Sequence, residues 1–167
     1  DLTRWEKKIF IAHEHFVNID IFAVTIPISD RPRRIGFIGR LDTEKGIYNF
    51  ILAIPVIFRN RIDVSAFIGG DGQLKEGIIP LLKTESLEAR VALGGWISHD
   101  DLPEYLNKIQ LLVIPSYTEG LPNIMLEAMA CGTPVLATPV GAIPDVIRDC
   151  ETGFIMEDNS PDNIAKN

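Results

Sequence analysis

Short, almost uninterrupted apolar runs alternate along this chain with segments whose apolar residues recur at helical spacing. Ile35-Gly36-Phe37-Ile38-Gly39, Ile62 to Ile68, Arg90-Val91-Ala92-Leu93, Leu111 to Ile114, Val135-Leu136-Ala137 and Phe154-Ile155-Met156 read as six strands. Continuous runs of this kind belong to strands covered on both faces, not to half-exposed ones. Between them, Phe50, Ile51, Ile54, Ile57 and Phe58 form one helical stripe from Ile47 onward, with Pro55 marking a kink or break. A second helix is expected from about Gln73 to Glu85, with Pro80 inside it. A third runs from the cap-like Ser98-His99-Asp100-Asp101 to about Lys108. A fourth opens with Pro122 in its first turn and closes at Gly132 and Pro134; its Ile124, Met125, Ala128 and Met129 face the sheet. Ile143 to Arg148, and a segment opened by Ser160-Pro161-Asp162, complete the series.

Strand alternating with helix argues an α/β fold: a Rossmann-like, doubly wound parallel sheet with helices on both faces. The first thirty residues do not join the alternation. Lys8-Ile9-Phe10-Ile11-Ala12 reads as a possible strand, and Ile19 to Ile28 is apolar without a period. Residues 1–30 are therefore taken as a linker or partial segment, and residues 31–167 as one ligand-binding domain.

In the doubly wound order 3-2-1-4-5-6, the winding reverses between strands one and four, and ligands bind outside the carboxyl ends of the strands there. Two loops meet at that point. After strand one comes Gly39-Arg40-Leu41-Asp42-Thr43-Glu44-Lys45-Gly46. With Asp42 or Thr43 capping the next helix, Lys45 falls in its first turn, where a cation opposes the helix dipole. A bound anion reverses that sign, so Arg40 and Lys45 form a candidate diphosphate clamp. After strand four comes Ser116 to Gly120, leading into Leu121-Pro122-Asn123. Glu119 in this loop and Glu127 on the helix point toward one opening, with Asn123 and Glu127 four residues apart on the polar face. Gly120 lets a ligand approach the backbone.

Composition narrows the classes. The chain has 167 residues, 46% hydrophobic and 23% charged, with a net charge of −7 and no evident basic face, which argues against nucleic acid as a partner. No apolar run approaches the roughly 18 residues of a membrane span. The charged start, Asp1 to Lys8, lacks a signal-peptide core. Two cysteines, Cys131 and Cys150, make no disulfide framework and suit a reducing, cytoplasmic compartment. Neither G-x-G-x-x-G nor G-x-x-x-x-G-K-[ST] is present, which weakens dehydrogenase and NTPase readings. His13-Glu14-His15 has no further metal ligand, no Asp-x-Asp pair exists to hold a metal-bound diphosphate, and no metal cofactor is expected. Ser98-His99-Asp100 reads as a helix cap, not a triad, and Gly69-Gly70-Asp71-Gly72 as a sharp strand exit. Trp96 suits a core aromatic or a base platform equally. Paired carboxylates also serve glycosidases, but there the cationic loop has no task.

Gly39 to Gly46, followed by Glu119-Gly120-Leu121-Pro122-Asn123 and Glu127-Ala128-Met129-Ala130-Cys131-Gly132-Thr133-Pro134-Val135, resembles the retaining GT-B glycosyltransferases of family four, whose two glutamates stand in an E-x7-E arrangement. The likeness covers about Arg34 to Ile164, the family's C-terminal, donor-binding half. It implies that Arg40 and Lys45 hold the diphosphate of a nucleotide sugar, and that Glu127 accepts hydrogen bonds from the ribose. Glu119, with backbone groups at Gly120 and Leu121, meets the donor sugar. Arg40, Lys45 and Glu119 then form the catalytic set, and Gly39, Pro122 and Asn123 join the donor-binding set. The Gly95-Trp96-Ile97 turn resembles the segment that contacts the base. Val17-Asn18-Ile19-Asp20 departs from the usual Asn-Gly-Val-Asp turn, and Gly141-Ala142-Ile143-Pro144-Asp145 from the commoner double glycine and glutamate.

The implied activity is transfer of a hexose from a nucleoside diphosphate sugar to a polysaccharide, glycolipid or glycan acceptor, with retention. An N-terminal domain of the same polypeptide is expected to hold the acceptor and to carry any membrane association. This half alone is expected to fold and to transfer nothing. A sugar-nucleotide epimerase half and a non-catalytic nucleotide-sugar-binding module are the alternatives.

Overall fold

A computed structural model describes residues 16–167. The expected strand Lys8-Ile9-Phe10-Ile11-Ala12 and the His13-Glu14-His15 group lie outside them. Strands β1 (Arg34–Ile38), β2 (Ser65–Gly69), β3 (Val91–Gly95), β4 (Leu111–Ile114), β5 (Val135–Ala137) and β6 (Phe154–Ile155) form one sheet in the order β3-β2-β1-β4-β5-β6. Every neighbouring pair is parallel. This is the order expected of a doubly wound sheet, with the reversal between β1 and β4.

The helices are α1 (Ile47–Asn60), α2 (Lys75–Thr84), α3 (Leu102–Leu106), α4 (Asn123–Ala130), α5 (Ile143–Val146) and α6 (Pro161–Lys166). One face of the sheet presents Phe37, Ile68, Val113 and Leu136 to Ile47, Phe50, Ile51 and Ile54 of α1 and to Ile78 and Ile164. The other presents Phe67, Leu112, Ile114, Val135 and Ala137 to Leu106, Met125, Ala128 and Ile143. Adjacent residues of β4 thus serve opposite cores, because strand side chains alternate. That is why its sequence is apolar without interruption. Each buried Ile, Leu or Phe contributes about 1.5–3 kcal/mol.

Several boundaries differ from expectation. β2 starts at Ser65, and Ile62 is 85% exposed. The chain turns over residues 61–64 instead, and the Arg90 guanidinium fastens that turn by donating to the Arg61 and Val64 carbonyls. β3 begins at Val91 and runs on through Gly94 and Gly95. The Phe67 ring lies against Gly94, where a Cβ would come within 2.4 Å of it, so glycine permits strand pairing under an aromatic ring. α1 continues through Pro55 without a break, losing only the one hydrogen bond that proline cannot donate. α2 begins at Lys75, α3 covers only Leu102–Leu106, and Pro122 stands at the cap of α4 rather than in its first turn.

Residues ahead of β1 are tied to the domain by polar bonds. Asn18 organises a turn, accepting the Asp20 amide on its side chain and the Ile21 and Phe22 amides on its carbonyl. Phe22 is buried in the second core. Arg31 is 3% exposed and donates to six acceptors: the Ile26, Leu106, Ile109 and Cys131 carbonyls, Asn107 Oδ1 and Thr133 Oγ1. Leu106 and Cys131 lie at the carboxyl ends of α3 and α4, where a cation is favoured. Among the described residues no carboxylate pairs with Arg31, and burial pushes its pKa down. Asn107 completes the knot, accepting the Thr25 and Ile26 amides and donating to the Ala23 carbonyl.

Arg31→Met keeps the length of the side chain but strips donors from several buried acceptors. Since an unsatisfied buried polar group costs about 1–3 kcal/mol, the variant is expected to lose roughly 3 kcal/mol of stability in urea unfolding. A change within about 0.5 kcal/mol, the range of ordinary surface substitutions, would contradict this role for Arg31.

Candidate active site

The site lies where β1 and β4 part. After β1 the chain is pinned by two amide bonds, Gly39 N–H to the Gly69 carbonyl and Leu41 N–H to the Asp71 carbonyl, while Leu41 itself is buried. Asp42 then caps a turn by accepting the Lys45 amide on Oδ1 at 2.9 Å. Lys45 therefore stands in the turn ahead of α1, and not in the helix's first turn as the sequence suggested. Gly46 (φ +70°) is the residue that joins this turn to α1. A Cβ there would lie 2.0 Å from the Pro115 carbonyl oxygen, so the turn reaches the end of β4 only because position 46 has no side chain.

The loop after β4 is fastened to that turn by the Tyr117 amide, which donates to the Glu44 carbonyl at 2.8 Å. Glu119 folds back into the gap. Its Oε1 and Oε2 lie 2.7 and 2.8 Å from Lys45 Nζ, and the Ser116 hydroxyl donates to Oε1 at 2.7 Å. The Glu119 side chain is 7% exposed and that of Lys45 is 28% exposed, so the pair is sheltered at the floor of an opening. From the other side, Gly141 (φ +58°) packs where a Cβ would come within 2.2 Å of the Glu119 carbonyl oxygen, and the Ala142 amide donates to the Gly120 carbonyl.

Glu127 approaches from α4. It is buried, and its Oε1 lies 3.3 Å from His99 Nε2, whose ring packs edge-on against Phe22. Gly39, Lys45, Glu119, Leu121, Pro122, Asn123 and Glu127 line one cleft of about 430 Å³, together with Ser116, Leu102, Ile124 and apolar residues of β1 and β4. The two carboxylates and the lysine expected to share an opening do so, and Asn123 and Glu127 face it together.

Other expected site residues lie apart. Arg40 bonds through Nε to Asp42 and through its terminal nitrogen to Glu44 at 3.2 Å. Its side chain is 61% exposed and borders a separate shallow depression with Asp42, Thr43, Glu44 and Gln73. The clamp read from the sequence is thus split, with Lys45 in the cleft and Arg40 beside it. Trp96 is 72% exposed and is therefore no core aromatic, while Ile97 packs toward β2 against Gly69. Ser98 closes the turn ahead of α3, accepting the Asp101 amide at 3.1 Å, while the residue at the cap of the helix itself is Asp101, whose side chain makes no capping bond. His99 does more than its place in a cap suggested, because it reaches Glu127 across 28 residues of sequence, a contact with no local signal. Among the described residues there is no group of three or more side chains suited to a metal.

Electrostatically, the loop after β1 is held by its own charges. Burial pushes the Asp42 carboxyl up, but the Arg40 hydrogen bond, the Lys45 amide and both cations outweigh it and hold the carboxyl below its usual range. The bond to Asp42 correspondingly raises the Arg40 guanidinium. A carboxyl with a depressed folded pKa adds stability above its unfolded value, about 3.9, and that contribution is lost as pH falls through the lower folded value. Asp42→Asn is therefore expected to be less stable than the parent at pH 7, with the difference shrinking as pH falls below about 4. Urea unfolding of both proteins across that range checks it, and a pH-independent difference would contradict it.

With this geometry in view, known proteins show the same architecture. The family described as Glycosyl transferases group 1 matches residues 19–167. An uncharacterised glycosyltransferase of Methanocaldococcus jannaschii is 32% identical over 164 residues, 98% of this chain and 41% of that protein. The C-terminal domain of a glycosyl transferase group 1 family protein from Francisella tularensis superposes with a TM-score of 0.80 at 27% identity, covering 90% of this chain and 85% of that one. The S. aureus protein TarM, crystallised with UDP, alpha-GlcNAc-glycerol and fondaparinux, superposes with a TM-score of 0.78 at 26% identity, over 90% of this chain and 30% of TarM. This chain thus spans less than half the length of the curated relative. Among the described residues no helix is long and apolar enough to cross a membrane. The matched family, the parallel sheet and the cleft between β1 and β4 agree: the chain belongs to the glycosyl transferases group 1 family and has the fold of the C-terminal half of a GT-B glycosyltransferase.

Proposed function

We propose that this chain binds the donor in an enzyme that transfers a hexose, with retention, from a nucleoside diphosphate sugar to a polysaccharide, glycolipid or glycan acceptor. The observation that carries the reading is the cleft at the β1–β4 divergence, where a lysine, two carboxylates and the start of α4 converge. In this reading Lys45 and the amides at the start of α4 receive the diphosphate. Glu127 takes the ribose hydroxyls, and Glu119 the sugar. Arg40 joins by exchanging its exposed partner Glu44 for phosphate oxygens while its Nε stays on the sheltered Asp42, an exchange that costs little because exposed ion pairs are worth about 0–1 kcal/mol. Leaving-group charge then develops beside these cations, where preorganised positive groups lower the barrier by several kcal/mol. No metal takes part. UDP in the crystals of the related TarM supports a nucleotide as ligand. A cytoplasmic location and an N-terminal domain of the same polypeptide, holding the acceptor, belong to the same proposal. This half alone does not transfer, because proximity of two bound reactants supplies much of the rate.

Calorimetry of the chain with UDP, GDP and ADP tests the binding role. Lys45→Ala and Arg40→Ala are each expected to cost about 1.5–3 kcal/mol, the range for charge-assisted hydrogen bonds, and chelator is expected to change nothing. Binding that vanishes with chelator, or that survives the double substitution undiminished, would contradict the assignment. Glu127→Ala is expected to weaken the bare nucleotide by about 1.5–3 kcal/mol through the lost ribose contact. Unchanged affinity would remove Glu127 from the ribose.

A further inference from the structure

Lys45 does not wait in the cleft with its charge free. Two of the three N–H donors of an ammonium are engaged by the two oxygens of Glu119, at 2.7 and 2.8 Å. Ser116 holds that carboxylate from a second direction, and Gly141 leaves its backbone no room to retreat. The carboxylate is 7% exposed, so water screens it poorly. A diphosphate bound at Lys45 therefore brings its anionic oxygens beside a second anion that is already in place on the same ammonium. Either Glu119 gives up Lys45 and stays sheltered with only the Ser116 hydroxyl, or the two anions share one cation. Both options oppose binding. A sugar on the diphosphate changes the balance, because its hydroxyls are donors and satisfy the carboxylate that Lys45 releases.

Resting on the donor-binding reading above, we propose that Glu119 is an intramolecular competitor for Lys45 that sets the cleft's preference for a sugar-bearing nucleoside diphosphate over the bare one. The ion pair then acts at two moments. It resists occupation by bare nucleoside diphosphate before the reaction. Once the sugar has left, it recaptures Lys45 and expels the nucleotide product.

The test is calorimetry of the parent chain, Glu119→Gln and Ser116→Ala with UDP, GDP and ADP, and with UDP-glucose, GDP-mannose and ADP-glucose. Gln keeps the shape of Glu119 and its bond from Ser116, but not its charge. For whichever base the parent binds, Glu119→Gln is expected to bind the bare diphosphate about tenfold tighter, the scale of a partly sheltered ion pair, and to narrow the preference for the sugar-bearing form by at least as much. Ser116→Ala takes away the one donor that would satisfy the carboxylate after it releases Lys45, so it is expected to shift the same ratio in the opposite direction, weakening the bare diphosphate, and it covers the case in which Glu119→Gln does not fold. Equal or weaker binding of the bare diphosphate by folded Glu119→Gln, or an unchanged or narrowed ratio in Ser116→Ala, overturns the competitor role and leaves donor binding standing. Failure of every nucleotide to bind any of the three proteins overturns the donor-binding reading itself.

Discussion

The cleft exists because the turn before α1 touches the carboxyl end of β4. At the contact, Gly46 meets the Pro115 carbonyl oxygen so closely that a Cβ would sit 2.0 Å from it. A positive φ at the same residue swings the chain from the Asp42-capped turn into the helix. Any other residue would meet both a left-handed backbone and a collision, so the turn would have to lift away from β4. Lys45 and Glu44 lie directly ahead of this glycine. Lifting them would break the Tyr117 amide bond to the Glu44 carbonyl and pull Lys45 from Glu119.

The walls of the cleft differ in rigidity for physical reasons. Its floor is the Lys45–Glu119–Ser116 cluster, sheltered and bonded from several directions. Its α4 wall stands on Met125 and Ala128, both fully buried, which fixes where Asn123 and Glu127 point. Arg31 reinforces the far end of the same helix through the Cys131 carbonyl. Arg40, by contrast, is itself 61% exposed and is held by the sheltered Asp42 and the exposed Glu44 of its own loop. The pair with Glu44 is weak and easily exchanged, so the outer end of the Arg40 guanidinium is free to turn while its Nε stays on Asp42.

Much of this was legible in the residues. The parallel sheet covered on both faces followed from continuous apolar runs, since Leu112, Val113 and Ile114 must each be buried on alternate faces for such a run to make sense. The site loops followed from charges and glycines gathered at the carboxyl ends of β1 and β4. Local energetics decided what was not legible. Ile62 continues an apolar run, yet the Arg90 guanidinium stabilises a turn there and leaves it in water. Lys45 looked like a cation in a helix, because nothing local shows that Asp42 spends its cap on the preceding turn. The partners of Arg31 and His99 are set by tertiary packing. Arg31 meets Cys131 across 100 residues and His99 meets Glu127 across 28, and neither pairing has a periodicity to read.

The proposed function places the nucleotide in one cleft, between the turn before α1 and the loop after β4. Backbone amide shifts recorded while the 167-residue chain is titrated with UDP, GDP and ADP address it most directly. The shifts are expected to concentrate in residues 39–46 and 116–127. Shifts gathered instead around the depression between Met129 and Phe154, at the amino ends of β5 and β6, would contradict it, as would a titration with all three nucleotides that moves nothing.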